Sequence, residues 1–463
     1  MRRLLCCAAL FPALALAVEV PQPHTLPNGL QVLVIEDHAQ PLVTVEIAVK
    51  NGSYTESPEY NGLSHLYEHM FFKANAALPT QEAYMARLRE LGISFNGTTS
   101  TERVNYFFTS TSDNFEGVMV FMRDALLTLR FDPGELERER VVVTGEMDRA
   151  EANPFYEFYR AIDRKVWWKH FSRKQPLGDR QTVLSATVAQ MRTIKERYYV
   201  PNNSLLVVSG DVKPQEVYAL AGKLYADWKR APDPFVKYPV PKHPPIQRTA
   251  AVVMEKPAVK TVNLGFTWHG PSTVGPGKEL TYAADVLGYA VSEPSSRFQK
   301  ALVDSGKCVR AGFSWQTQAQ VGPINFSAEA LPEKADECVQ AMQEELVRMK
   351  APDYLSPQEM ANAVFREEVS QIQSREKPSD YAHTVTFWWT AAGLDYYASY
   401  VENMRKVTPS DIGRYLSTYV ENQPYVFGAI VSPEATKLGL DQAHFEELLG
   451  IGKKPVKVKG GKR

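Results

Sequence analysis

Gly62-Leu63-Ser64-His65-Leu66-Tyr67-Glu68-His69-Met70-Phe71-Phe72-Lys73 is the stretch from which the rest of the chain can be read. On a helix, two histidines four residues apart project within about 40° of each other. His65 and His69 can therefore each offer one imidazole nitrogen to a single metal ion. Glu68 lies on the flank of that face, where its carboxylate can reach a water held by the metal. Asn61 is the expected N-cap. The chain holds 9 His and 53 acidic residues in 463. Random placement would give about 0.02 matches to His-x-x-acid-His. The competing reading is a surface helix with two solvated histidines.

Composition bounds the protein around that helix. A length of 463 residues predicts two or three domains. With 44% hydrophobic and 23% charged residues and no low-complexity tract, the composition is that of a folded, soluble protein. A formal net charge of −1 argues against nucleic acid as the main partner, because phosphate binding needs a basic surface. Only the tail, residues 453–463, is clearly basic, and Pro455, Gly460 and Gly461 mark it as a frayed end. At the other terminus, Arg2 and Arg3 precede an apolar run from Leu4 to Ala17 that closes in Ala15-Leu16-Ala17. That pattern predicts a signal peptide over residues 1–17, cleaved near Ala17. The run is too short to span a bilayer, and no other run reaches that length. The expected product is exported, periplasmic or secreted, without a stable membrane span. Cleavage leaves only Cys308 and Cys338, which lack C-x-x-C spacing and are too few for a disulfide framework. One bridge or two free thiols both remain open.

Six prolines between Pro232 and Pro245 interrupt every periodic pattern near the midpoint. They predict an extended linker over 232–247, between an N-terminal domain at 18–231 and a C-terminal one at 248–452. In the first, Leu30–Ile35 and Val43–Val49 look like strands. The metal helix follows, then a helix near Gln81–Leu91 and a strand at Val104–Ser110. Helices near Asn114–Leu129 and Pro133–Glu151 precede a closing strand, Ser204–Ser209. The second half repeats this order loosely: strand Thr261–Trp268 precedes a helix at Lys278–Val291. Strands and helices in blocks predict an α+β fold.

Two histidines do not complete a catalytic zinc site, which takes three protein ligands and leaves a fourth position open. The candidates lie in Glu135-Leu-Glu-Arg-Glu139-Arg-Val-Val-Val-Thr-Gly-Glu146. Glu139 and Glu146 are seven apart and share one helix face. Val141, Val142 and Val143 make this helix apolar enough to bury a carboxylate, which then needs a partner such as a metal. Glu137 reads as solvated. Residue chemistry leaves the choice between Glu139 and Glu146 open.

The stretch Gly62–Lys73 resembles the inverted H-x-x-E-H zinc helix of the pitrilysin and mitochondrial-processing-peptidase family (M16). In that family the third ligand is a glutamate after 76 intervening residues. Here positions 70 to 145 intervene between His69 and Glu146. Glu139 matches a second family glutamate seven residues earlier. Phe95-Asn96-Gly97-Thr98-Thr99-Ser100 resembles the family's active-site edge strand, with Asn96, Gly97 and Thr98 as the implied substrate-binding residues. Tyr198–Asn203 and Val207–Val212 are similar to its domain-closing segment. The resemblance covers essentially the whole chain after the signal peptide. It implies two homologous domains, each a mainly antiparallel sheet with helices packed on it.

It also implies a zinc endopeptidase acting on unfolded peptides or small polypeptides. One Zn²⁺ would be held by His65, His69 and Glu146, Glu68 would activate the metal-held water, and Glu139 would orient the site. Ser295-Ser296-Arg297-Phe298-Gln299 matches the family's arginine element, which makes Arg297 a substrate or oxyanion candidate. The tyrosine expected about thirteen residues later is replaced by Arg310. That departure implies a dimer, either with an identical chain or with a paralogous subunit supplying the arginine-tyrosine pair. Two rival readings are a non-catalytic structural or assembly subunit of a hetero-oligomer, and an exported metal-binding scaffold. Retention of Glu68, which mere binding does not need, weighs against the second.

Overall fold

A computed structural model describes residues 20–452. The expected signal peptide and the basic tail lie outside the described residues. Among the described residues, eleven strands form two sheets. The first takes β1 (His24–Thr25), β2 (Gln31–Glu36), β3 (Leu42–Val49), β4 (Ser94–Thr99), β5 (Val104–Thr111) and β6 (Ser204–Gly210), in the order β1-β2-β6-β3-β5-β4. The second takes β7 (Ala250–Glu255), β8 (Val262–His269), β9 (Arg310–Trp315), β10 (Pro323–Ala330) and β11 (Val426–Val431), in the order β7-β11-β8-β10-β9. Among the described residues each has a single parallel pair, β2 with β6 and β7 with β11. All other pairings are antiparallel. Without β1, the two sheets have the same order, so the loose sequence repeat is a repeat of topology. The fold is α+β, in two like domains.

Both faces of the first sheet are covered, so β3 and β6 are buried along nearly their whole length rather than at alternate residues, and β6 is apolar on both faces from Leu205 to Val208. Val32, Val34, Val45, Ile47, Leu206 and Val208 face the core under the first domain's own helices. Leu33, Ala48, Leu205 and Val207, displaced by one residue, face a second core containing Ala382 and Val385. Those two residues belong to the helix Pro378–Ala391 of the second domain. The exchange is mutual. Among the first domain's helices α1 (Leu63–Phe71), α2 (Gln81–Glu90), α3 (Phe115–Leu127), α4 (Pro133–Glu151) and α5 (Tyr156–Val166), α5 crosses to the second sheet. There Phe158, Ile162 and Val166 pack with Val252, Val426 and Ile430. Gly428 on β11 makes the approach possible: a Cβ there would lie 2.5 Å from Ile162 Cδ1.

Three expectations need correction. The Pro-rich stretch is not wholly extended. Pro234–Lys237 is a short helix, begun by Pro234 in the first turn and capped by Asp233, whose carboxylate accepts from the Phe235 amide at 2.8 Å. Of the three valines in α4 only Val143 is buried, while Val141 and Val142 are exposed, because one helical turn cannot aim three consecutive residues at one core. The cap of α1 is Gly62 rather than Asn61, because an upstream carboxylate satisfies the first-turn amides. Of the two states left open for the cysteines, the structure has the bridge. Cys308 and Cys338 join at 2.07 Å, tying the approach to β9 to the helix Ala335–Arg348.

Candidate metal centre

Helix α1 starts abruptly. Gly62 is its N-cap, in a left-handed conformation (φ 93°). A Cβ there would lie 2.8 Å from Gly178 Cα, so glycine is required for both shape and space. The free amides of Gly62 and Ser64 are satisfied from six and eight residues upstream by Glu56, whose oxygens accept from them at 2.8 and 2.7 Å. Asn61 instead donates to the Ser172 carbonyl at 2.9 Å. Burial pushes the Glu56 carboxyl up to about 7 against these bonds. Leu66, Tyr67, Met70 and Phe71 anchor α1 in the core. His65 and His69 are left on its half-buried face, beside α4.

Asp132 caps α4 by accepting from the Glu135 amide at 2.9 Å. That helix brings Glu146 opposite the histidines. One Glu146 oxygen lies 3.5 Å from His65 Nε2 and the other 3.7 Å from His69 Nε2. One ligand atom of each residue falls within 4.8 Å of the other two, and no other such cluster of three occurs among the described residues. These separations are long for hydrogen bonds. They suit a shared ion: Zn–N and Zn–O bonds of about 2.0–2.2 Å in a tetrahedron set donors about 3.3–3.6 Å apart. The donor set, two imidazoles and a carboxylate, is also zinc's own. The residues present therefore fit zinc.

Around the triad, His69 Nδ1 donates to Glu139 at 3.0 Å, which leaves Nε2 as the nitrogen facing Glu146. The other Glu139 oxygen lies 2.7 Å from Lys73 Nζ. Burial opposes ionisation of Glu139, but its bonds to His69 and Lys73 outweigh burial and hold its carboxyl below the ordinary value. Burial works to lower His69 as well, yet Glu139, Glu146 and Glu68 together raise it. His65, lacking such a partner, is lowered to about 4 by burial and by His69. Glu137 is exposed, as expected.

The fourth wall of the site is β4. It pairs with β5 on one side and is an edge on the other. Strand alternation turns Phe95, Gly97 and Thr99 toward α1 and leaves Asn96 and Thr98 exposed. Thr99 Oγ1 donates to Glu68 at 2.8 Å. At Gly97 a Cβ would come within 3.1 Å of Glu68 Oε1, so this position lets the strand lie directly on the acid. Burial raises the Glu68 carboxyl, with Thr99 working against it. His65, Glu68, His69, Glu139, Glu146 and Asn96 to Thr99 line one open cleft of about 410 Å³. Arg297 is exposed on a short helix of the second domain and does not line the cleft. Arg310 opens β9 and pairs with Glu329 at 2.6 Å.

Sequence reasoning misses the roles of Lys73, Thr99 and Glu56. Lys73 stands four residues after His69, just past the end of α1, a spacing that could have pointed to it. Thr99 lies inside the edge-strand segment Phe95–Ser100. Nothing local marks Glu56.

Residues 31–172 match the family described as Insulinase (Peptidase family M16), and residues 185–366 match Peptidase M16 inactive domain. The chain is 23% identical to the zinc protease PqqE of Helicobacter pylori, over 86% of this chain and 90% of that protein. In structure it is similar to a protease from Helicobacter pylori, with a TM-score of 0.78 and 22% identity, covering 89% of this chain and 100% of the other. The periplasmic protease PqqL from Escherichia coli matches with a TM-score of 0.75 and 17% identity, over 96% of this chain but 52% of that one. The second domain's counterpart of α1, Leu280–Ser292, carries no histidine, in keeping with the description of its family half. Matched along both halves and alike in architecture, the chain belongs to peptidase family M16.

Proposed function

We propose that the protein is a zinc-dependent endopeptidase that hydrolyses extended, unfolded peptides. The observation that carries this reading is the convergence of His65, His69 and Glu146 within 4.8 Å, with Glu68 and an open strand edge in the same cleft. His65 and His69 through Nε2, and Glu146 through its carboxylate, would hold one Zn²⁺. When bound, zinc supplies Lewis acidity for the scissile carbonyl and lowers the pKa of water to about 7. Glu68 takes the proton from the attacking water and delivers it to the departing amine nitrogen. Its raised pKa suits an acid-base group working near neutrality, and Thr99 fixes which oxygen is free. Glu139 orients His69 through Nδ1. The unpaired edge of β4, at Asn96, Gly97 and Thr98, would hold substrate backbone as an added strand, which selects unfolded chains over folded ones.

Because Arg297 does not line the cleft and Arg310 stands where a tyrosine is expected, a second subunit, identical or paralogous, would complete substrate clamping. Localisation outside the cytoplasm is supported by the Cys308–Cys338 bridge, which persists in oxidising compartments. Among the described residues no helix is long and apolar enough to cross a membrane. The test is zinc content together with cleavage of a quenched unfolded peptide, for the chain alone and with a paralogous partner. Stoichiometric zinc with cleavage supports the reading; zinc without cleavage in any pairing refutes it.

A further inference from the structure

The turns of the two edge hairpins meet across the domain boundary. In the first sheet, residues 100–103 join β4 to β5; in the second, residues 316–322 join β9 to β10. Glu102 sends its carboxylate into the second turn, where it accepts from two consecutive amides, Ala319 at 2.7 Å and Gln320 at 2.6 Å. Lys174, also from the first domain, grips the same turn by its acceptors. Its ammonium donates to the carbonyls of Gln320 (2.6 Å) and Val321 (2.7 Å) and to the Gln318 side chain. Glu102, Lys174 and Gln318 are all buried. Charges so placed are tolerated only when fully bonded, so each fixes the geometry around it. The gripped turn is not one the chain would adopt freely: Val321 has φ 41°, a left-handed conformation that a β-branched side chain resists.

A second set of contacts runs beside the first. Arg103 donates to the His383 carbonyl and to Thr386 Oγ1, both at 2.8 Å. Glu46, wholly buried on β3, accepts from Asn105 at 2.8 Å and Thr386 at 2.7 Å and pairs with His383. Asn105 in turn accepts from Thr98 on β4. Within the first domain, the Ser53 and Tyr54 amides donate to Ser100 and Thr101 of the turn at 3.3 and 2.9 Å. β4 has its ladder with β5 on one side and an open edge on the other, and these contacts hold the end of its hairpin.

We propose that Glu102 and Lys174 are positioning residues, latching the β9–β10 turn of the second domain onto the end of β4. The latch sets where Thr99 holds Glu68 and where the edge strand receives peptide. This inference rests on the proposed roles of Glu68 as acid-base group and of β4 as the substrate edge. It gives the domain without a metal triad a part in the site. That domain supplies no ligand, but frames the strand that faces the metal.

The test pairs hydrogen exchange of the metal-free full chain with kinetics of the zinc-loaded protein. In a Glu102→Gln/Lys174→Met variant, exchange across residues 94–105 should rise at least roughly tenfold, while α1 and α4 exchange as in wild type and zinc content is unchanged. Cleavage of a quenched unfolded peptide should fall about ten- to a hundredfold in kcat/KM, with KM rising, since small misplacements are costly. Lys174→Arg, which keeps the donors, should stay near wild type. If the double variant does not fold, Thr386→Val, which removes one hydroxyl from the second contact set, carries the same exchange test. The proposal is overturned if exchange over 94–105 is unchanged once the Ala319 and Gln320 amides are freed. It is also overturned if α1 and α4 loosen equally, or if a loosened hairpin leaves KM and kcat intact. A wild-type protein that binds zinc yet cleaves nothing in any pairing would defeat the proposed function, and the exchange result would still decide the latch.

Discussion

Replacing Glu139 with glutamine tests whether the buried acid behind His69 tunes the metal site. Glu139 is wedged between two donors, His69 Nδ1 at 3.0 Å and Lys73 Nζ at 2.7 Å. Glutamine retains one acceptor, which His69 can still use, but turns an NH₂ group toward an ammonium that can only donate. The variant loses a charge-assisted bond at both ends, and the imidazole is polarised less toward Nε2. Removing the outer partner of a metal-ligating histidine lowers affinity about 10–100-fold, or about 1.4–2.7 kcal/mol. Glu139→Gln should sit near the lower end, since His69 keeps an acceptor. Glu139→Ala, which strands both donors, should reach the upper end. The assay is equilibrium competition for Zn²⁺ against a chromophoric chelator, with no dependence on peptidase activity. Adding Lys73→Met to Glu139→Gln should recover part of the loss, because it removes the opposed donors and the pair is directly coupled. Zinc affinity equal to wild type in both Glu139 variants would refute the reasoning.

Glu68→Gln should retain zinc while kcat falls about 10²–10⁴-fold, as for loss of a general acid-base group; a fully active variant in the quenched-peptide assay removes Glu68 from the mechanism. Glu56 carries a pH prediction. Its folded pKa of about 7 lies above its ordinary 4.5, so its contribution is intact below about pH 4.5 and is lost as pH rises through 7. Wild type should therefore lose up to about 3 kcal/mol between those limits relative to Glu56→Gln, read from urea midpoints at each pH; parallel profiles would contradict it. Reducing Cys308–Cys338, which closes a separation of 30 residues, should cost about 3–4 kcal/mol by the loop-entropy relation, seen as a lower urea midpoint with reductant than without. Gly428→Ala should destabilise by about 1–3 kcal/mol through overpacking against Ile162, with Ile162→Val relieving it in the same background. Additive effects of that pair in thermal melts would mean that α5 does not seat on β11.

What could be read in the chain before the fold was local. His65, Glu68 and His69 share one helix, and Glu139 and Glu146 share another, so helical period alone brings each set onto a face. The strands β3, β5 and β6 were legible from runs such as Val43–Val49, and the closing strand from Ser204–Ser209. Choosing Glu146 over Glu139 was not a matter of period, because both satisfy it. The resemblance chose, and the geometry has Glu146 facing both Nε2 atoms while Glu139 lies behind His69. The helix start failed for a physical reason: Asn61 has the chemistry of a cap, but Glu56 reaches the same amides from farther upstream. A capping rule that looks three residues ahead cannot register a carboxylate folded back from six.

The least legible feature is the exchange between halves. A proline-rich stretch read as a linker suggests two bodies on a tether, each complete. Instead α5 and Pro378–Ala391 each cover the other domain's sheet. The sign of it lies in β6, whose run Leu205-Leu206-Val207-Val208 is apolar on both faces, unlike a strand with one wet face. Read strictly, that run requires a cover on each side, and the first half's own helices supply only one. Glu46 makes the point sharper: a wholly buried acid in the middle of β3 needs hydrogen-bond partners, and two of them, His383 and Thr386, lie in the other half. The histidine face of α1 is thus a local product of sequence, whereas the hairpin of the strand that faces it is tied to residues more than two hundred positions away.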